Sequence, residues 1–196
     1  MKTLTTLFVV ILTATTFAQT KINLNDFEIS RQNINQNAML ILGSWAVGNI
    51  LTGTYGNFKA KGEAKYFHQF NAFWNTVNLG LAVFGYVNAA NSISAELSPL
   101  KIINDYNSLQ NFLLLNAGLD VAYIMTGFYL KEKSKNSSKS DLLKGYGNSL
   151  LLQGGFLLVF DIALYFIHQN NAYLMLYPKL ENILNGGIGL NLQYNF

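Results

Sequence analysis

Four long apolar stretches divide the chain, at approximately residues 38–56, 68–88, 109–130 and 149–168. Each is close to the ~20 residues that an α-helix needs to cross ~30 Å of hydrocarbon at a rise of about 1.5 Å per residue. None contains Lys, Arg or Glu, and both prolines, Pro99 and Pro178, lie outside them, where helix-breaking residues belong. The second stretch is the least uniform. It begins "HQFNAFWNTVN" and carries His68, Asn71, Asn75 and Asn78.

A helical period explains the intruders. At 100° per residue, His68, Asn71, Asn75 and Asn78 share an arc of roughly 80°. In the third stretch Asn116, Asp120, Tyr123 and Gly127 share about 60°. Gln153, Asp161 and His168 lie on one side of the fourth. The first contributes Asn49, with Trp45 one turn earlier and Gly48 beside it. One polar stripe per helix predicts an all-α membrane protein, a four-transmembrane-helix bundle of two helix hairpins with its polar residues inside. By position along their spans, Asn49, Asn78 and Asp120 lie near mid-depth and Asp161 nearer the outer face, an offset that disfavours close pairing of the two acids.

Composition agrees with this pattern. The 196 residues are 51% hydrophobic, 14% aromatic and only 12% charged, about half the charge of a typical soluble domain, which is about 25%. The net charge of +3 comes almost wholly from Lys, with Arg31 the single arginine. That argues against nucleic acid as a partner, which calls for a clustered basic face. Cysteine is absent, so disulfide and thiolate chemistry are excluded.

The opening "MKTLTTLFVVILTATTFAQT" has the form of a secretory signal peptide, with Lys2 before a short apolar stretch and Ala18 at the expected cleavage position. Residues 1–18 are therefore expected to be removed, leaving 19–196 as one four-span membrane domain with a polar lead-in over 19–37. Lysine placement gives an independent orientation. Lys59, Lys61 and Lys65 fall in the first connection, and Lys131, Lys133, Lys135, Lys139 and Lys144 in the third. The opposite side of the mature chain holds only Lys21, Arg31, Lys101 and Lys179. Positive charge collects on the cytoplasmic side, so both mature termini are expected outside the cytoplasm of a bacterial inner membrane.

The hairpins also resemble each other. "ILTGTYGNFKAK" (50–61) matches "IMTGFYLKEKSK" (124–135) at a spacing of 74 residues. This is either a parallel repeat or two span ends shaped alike by interfacial chemistry. The tail, 172–196, differs from the rest. "GIGLNLQYNF" alternates apolar and polar residues with a strand's period of two, and "YLMLYP" (173–178) is its candidate partner in a short β-like element.

The candidate interior comprises Asn49, His68, Asn71, Asn75, Asn78, Asn116, Asp120, Gln153 and Asp161. Amides in such a position act as interhelical glue, worth around 0.6 kcal/mol on average. An ionised Asp in mid-span costs at least ~2.5 kcal/mol and finds no Lys or Arg within these spans. Asp120 must then be protonated, bonded to donors, or accompanied by water or a cation. His68 and His168 fall at opposite membrane edges, as interfacial hydrogen-bonding groups and not as ligands of one metal. Catalytic motifs such as HExxH, GxSxG and the P-loop are missing, and no cofactor or metal site is expected.

The runs "GSWAVGN", "FHQFNAFWNTVNLGLAVFG", "LLLNAGLDVAYIMTGFYL" and "LLLQGGFLLVFD" resemble a family of uncharacterised bacterial polytopic membrane proteins, a domain of unknown function, over about residues 35 to 196. The resemblance implies a four-span fold and carries no activity. Its motif residues here are Trp45, Asn49, His68, Asn71, Trp74, Asn75, Asn78, Asp120, Gln153 and Asp161. Three roles follow for consideration. The leading one is a non-enzymatic envelope scaffold or accessory subunit, whose partners are the lipid bilayer and either further copies of itself or other membrane proteins. The second is a small transporter, channel or ligand-binding protein that uses Asp120 and Asp161. The weakest is an intramembrane enzyme with those two acids as a pair.

Overall fold

The computed structural model describes residues 23–93 and 97–186, with side chains described up to residue 182. Five helices account for nearly all of them: α1 (Asn25–Lys59), α2 (Gly62–Ile93), α3 (Pro99–Ser134), α4 (Ser140–Met175) and α5 (Tyr177–Gly186). No strand occurs among the described residues. The signal-peptide segment 1–18 and the alternating stretch 187–196 lie outside them.

The helix ends follow local chemistry. Asp26 and Glu28 occupy the first turn of α1, and Lys59 its last, each complementing the helix dipole. Gly62 opens α2 at φ +58°, a left-handed conformation in which a Cβ is strained. It lets the chain reverse within two residues of α1. The Ser98 hydroxyl caps α3 by accepting from the Lys101 amide at 3.3 Å, and Pro99 follows at the first helical position, where its missing N–H costs nothing.

α1 and α2 form one antiparallel hairpin, α3 and α4 the other, and α2 packs alongside α4 to join them. Small residues set the close approaches. Gly127 faces the Gly147 carbonyl, and Gly145 lies against the backbone of Glu63 and Phe67. Missing side chains let the backbones touch. The α1–α2 and α3–α4 connections share one end of the bundle, here the loop end. The α1 N-terminus, α5 and the α2–α3 connection mark the distal end.

The four main helices, 32 to 36 residues each, outrun their apolar stretches and reach about 50 Å at 1.5 Å per residue. The extra length on α1 corrects the sequence reading: residues 25–37, expected to be a polar lead-in, are helical and continuous with the first apolar stretch. They build a distal core in which Phe27 meets Tyr106 edge to face at 5.7 Å, among Leu24, Ile102, Ala172 and Leu176. A second correction concerns the tail. Residues 173–178, expected to be a strand, complete α4 and open α5. A short apolar run fits either period, and here the pattern of α4 simply continues.

The surface is inverted relative to a soluble bundle. Large apolar side chains project outward from every main helix, including Leu51 and Phe58 on α1, Phe73 and Phe84 on α2, Leu115 and Met125 on α3, and Val159 and Phe166 on α4; Phe58 is 80% exposed and Phe84 72%. Asn71, Asn75, Asn78, Asp120, Gln153 and Asp161 are buried, although such residues rarely are in soluble proteins. By length and composition, α3 and α4 are long and apolar enough to cross a membrane.

Candidate functional site

The inward stripes meet in a closed ring of hydrogen bonds through three helices. The Trp45 indole on α1 donates to Gln153 Oε1 on α4 at 3.1 Å. The Gln153 amide donates to Asn71 Oδ1 on α2. Asn71 Nδ2 donates to Asn49 Oδ1 at 2.8 Å, and Asn49 Nδ2 returns to the Trp45 carbonyl at 2.8 Å. Asn75, one turn beyond Asn71, donates back to the Asn71 carbonyl at 2.8 Å. Spacing makes this possible: Trp45 and Asn49, like Asn71 and Asn75, are four residues apart and share a helix face. Trp45 is held flat against Phe156, with centroids 3.9 Å apart and planes 5° apart.

Toward the distal end the stripe ends in two acids. Asp120 on α3 and Asp161 on α4 are both buried, and their carboxyl groups are close enough to share a hydrogen bond. This overturns the expectation that different depths keep them apart. Their Cα positions are indeed offset, because Gly154 and not Asp161 lies beside the Asp120 backbone. However, every helical side chain slants toward its own N-terminus. On antiparallel helices the two slants converge, Asp120 reaching distally and Asp161 toward the loop end. Depth counted along the backbone misses that closure.

Asn78 belongs to the same layer. α2 and α4 run parallel, and Asn71 and Gln153 are bonded across them. Two turns further on, Asn78 and Asp161 come level. Asn78 is buried, and its Nδ2 has no partner among the described residues; the same holds for Asp120 Oδ2.

The remaining predicted residues stand apart. Asn116 is half-buried on α3. His68, half-buried on α2, packs its ring against Gly56 toward the loop end. His168 is fully buried toward the distal end, and its Nε2 lies 2.9 Å from Asn35 Oδ1.

Sequence reasoning missed a second polar layer at the distal end. Arg31 grips Glu28 bidentately, at 2.7 and 2.9 Å, and Gln32 donates to the same carboxylate at 2.7 Å. Ser30 donates to Asn171 Oδ1 at 2.8 Å, tying α1 to α4. The signal was present: Glu28, Arg31, Gln32 and Asn35 are spaced three and four apart, as one helix face requires. An apolar groove of about 630 Å³ between α1 and α2, lined by Met39, Gly43, Val47, Gly48, Val83 and Tyr86 among others, includes no residue of the ring or the acid pair.

Fold and site together define a helical bundle with an apolar exterior, a hydrogen-bonded amide ring and a buried pair of acids. Residues 41–162 match the family of unknown function DUF6992, and the chain belongs to that family. The matched segment holds the whole ring and both acids. No curated protein and no solved structure matches the chain.

Proposed function

We propose that the protein is a four-span integral membrane bundle of the bacterial envelope, acting as a non-enzymatic scaffold or accessory subunit. The observation that carries this reading is the inverted surface, with large apolar side chains outward on all four main helices and the amides bonded to one another inside. In hydrocarbon a polar side chain is retained where it faces the bundle interior and finds a partner. The ring meets that condition and ties α1, α2 and α4 together. Lys131 and Lys133 in the last turn of α3, with Lys135 and Lys139 in the α3–α4 connection, lie at the same end as the lysines of the α1–α2 turn, which supports a cytoplasmic loop end under the positive-inside bias. Its partners are the lipid bilayer and either further copies of the chain or other membrane proteins.

The cysteine-free sequence provides the test. Single cysteines replace Asn91 and Ser138, near opposite ends of the bundle, and Ala117 and Leu157, beside the acids. With a membrane-impermeant thiol reagent, the end positions are expected to react from opposite sides while Ala117→Cys and Leu157→Cys stay silent. Rapid reaction at both interior positions would replace the scaffold with a water-filled cavity and a transport or ligand-binding role. One observation favours that second reading: the contact between the Asp120 and Asp161 carboxyls.

A further inference from the structure

We infer that Asp120 and Asp161 form a binding site for a single proton, held between their carboxyl groups in the interior of the bundle. Two buried carboxyls in mutual contact need a positive charge or a proton between them, because two bare carboxylates repel and neither is adequately solvated. No cationic side chain among the described residues supplies that charge. Within their apolar stretches α1 carries no charged residue at all, and α2 carries only His68, which lies toward the loop end. The titratable side chains nearest along α3 and α4 are Tyr123 and Tyr165, one turn from Asp120 and Asp161 respectively, and both are phenols. Arg31 is committed to Glu28 in the distal layer.

A shared proton satisfies the geometry. One carboxyl donates O–H to the other, so the pair carries one negative charge where it would otherwise carry two. The site's remaining oxygens need donors, and the layer supplies one. Among the described residues, Asn78 Nδ2, buried and level with Asp161, has no partner, and Asp120 Oδ2 is a buried acceptor without one. This layer holds both an unused donor and an unused acceptor, whereas the four members of the amide ring bond directly to one another and only the acceptor Asn75 Oδ1 is unused beside them. The inference rests on the proposed membrane placement only for the bilayer surrounding the bundle; the proton itself follows from burial and contact.

The test uses the full chain reconstituted in lipid vesicles, with aspartate carbons isotopically labelled, and reads the carboxyl C=O stretch by infrared spectroscopy. The other aspartates do not interfere: Asp26 and Asp141 are exposed and Asp105 is paired with Lys101 at 3.0 Å. At neutral pH one protonated aspartic acid per chain is expected, shifting on exchange into heavy water, and the same in sodium, potassium or choline chloride. D120N/D161N is expected to abolish the band. If that double variant does not fold, D120N or D161N alone assigns it by altering its position or amplitude. Absence of a protonated aspartic acid at neutral pH would overturn the inference. So would a band present in choline and lost in sodium or potassium, which would make the pair a metal-cation site. Flotation of the same vesicles reports membrane insertion separately, so failure of that reading is distinguishable from failure of this one.

Discussion

Asp120 on α3 and Asp161 on α4 meet carboxyl to carboxyl although their backbones lie at different depths. The contact depends on antiparallel helices whose side chains slant toward each other, and on Gly154, which lets α3 approach α4 beside the Asp120 carbonyl. Shortening one acid should therefore do more harm than neutralising it. Asp161→Asn keeps a hydrogen-bonding partner for Asp120 and removes one of the two ionisable groups, so thermal unfolding in micelles, followed by circular dichroism, is expected to be unchanged or raised. Asp161→Ala leaves Asp120 buried without that partner and is expected to cost about 1–3 kcal/mol.

Gln153 serves two bonds of the ring at once. Gln153→Leu leaves the Trp45 indole unpartnered and Asn71 Oδ1 with only the long 3.4 Å bond from Asn75 Nδ2, and is expected to cost about 1–3 kcal/mol. Asn49→Ala removes the α1 end of the ring, where Asn49 is only half-buried, and should cost less, near the ~0.6 kcal/mol typical of interhelical hydrogen bonds in membranes. Equilibrium unfolding of both variants in mixed micelles checks the ranking.

Gly145 is where α2 and α4 come closest to fusing. A Cβ there would lie 2.5 Å from the Glu63 carbonyl oxygen and 2.7 Å from the Phe67 amide nitrogen, both backbone atoms that cannot rotate away. Gly145→Ala is expected to destabilise by about 1–3 kcal/mol through overpacking. Gly155→Ala, whose Cβ meets nothing within 4 Å, is the control and should gain up to about 1 kcal/mol from helix propensity.

The distal ion pair is buried on both sides, each side chain 5% exposed. Arg31→Met strands Glu28 and is expected to cost about 3–5 kcal/mol, whereas adding Glu28→Gln should restore most of the loss. Thermal melts of the single and double variants measure the difference.

Burial, together with a hydrogen bond to Tyr177, pushes the Tyr106 phenol up from 10.0 to about 12, against a smaller opposing effect of Gln110. A raised folded-state value favours the neutral phenol in the fold. Its stabilisation is complete below pH 10 and is lost as pH rises toward 12. Tyrosinate absorbance should therefore contain a late component that Tyr106→Phe removes.

The helices and the inward face of the stripe were legible because a 3.6-residue period survives in the order of residues alone. Asn71, Asn75, Asn78, Asp120, Gln153 and Asp161 are all buried, as their arcs required. The acid contact was not legible, since it depends on side-chain slant across a packed pair and not on position along one helix. Residues 25–37 read as a lead-in because their polarity hides a helix whose buried face is an ion pair and Phe27. The run 173–178 was too short to choose between periods.

The central claim is that all four main helices, and not only α3 and α4, present their apolar faces to lipid. Nitroxide labels at single cysteines replacing Leu51, Phe84, Leu115 and Val159 test it in vesicles, using collision with oxygen against collision with a water-soluble nickel chelate. The account predicts that oxygen dominates at all four positions. Dominance of the nickel chelate at Leu51→Cys and Phe84→Cys, with oxygen dominant on α3 and α4, would contradict it and leave only two helices in the membrane.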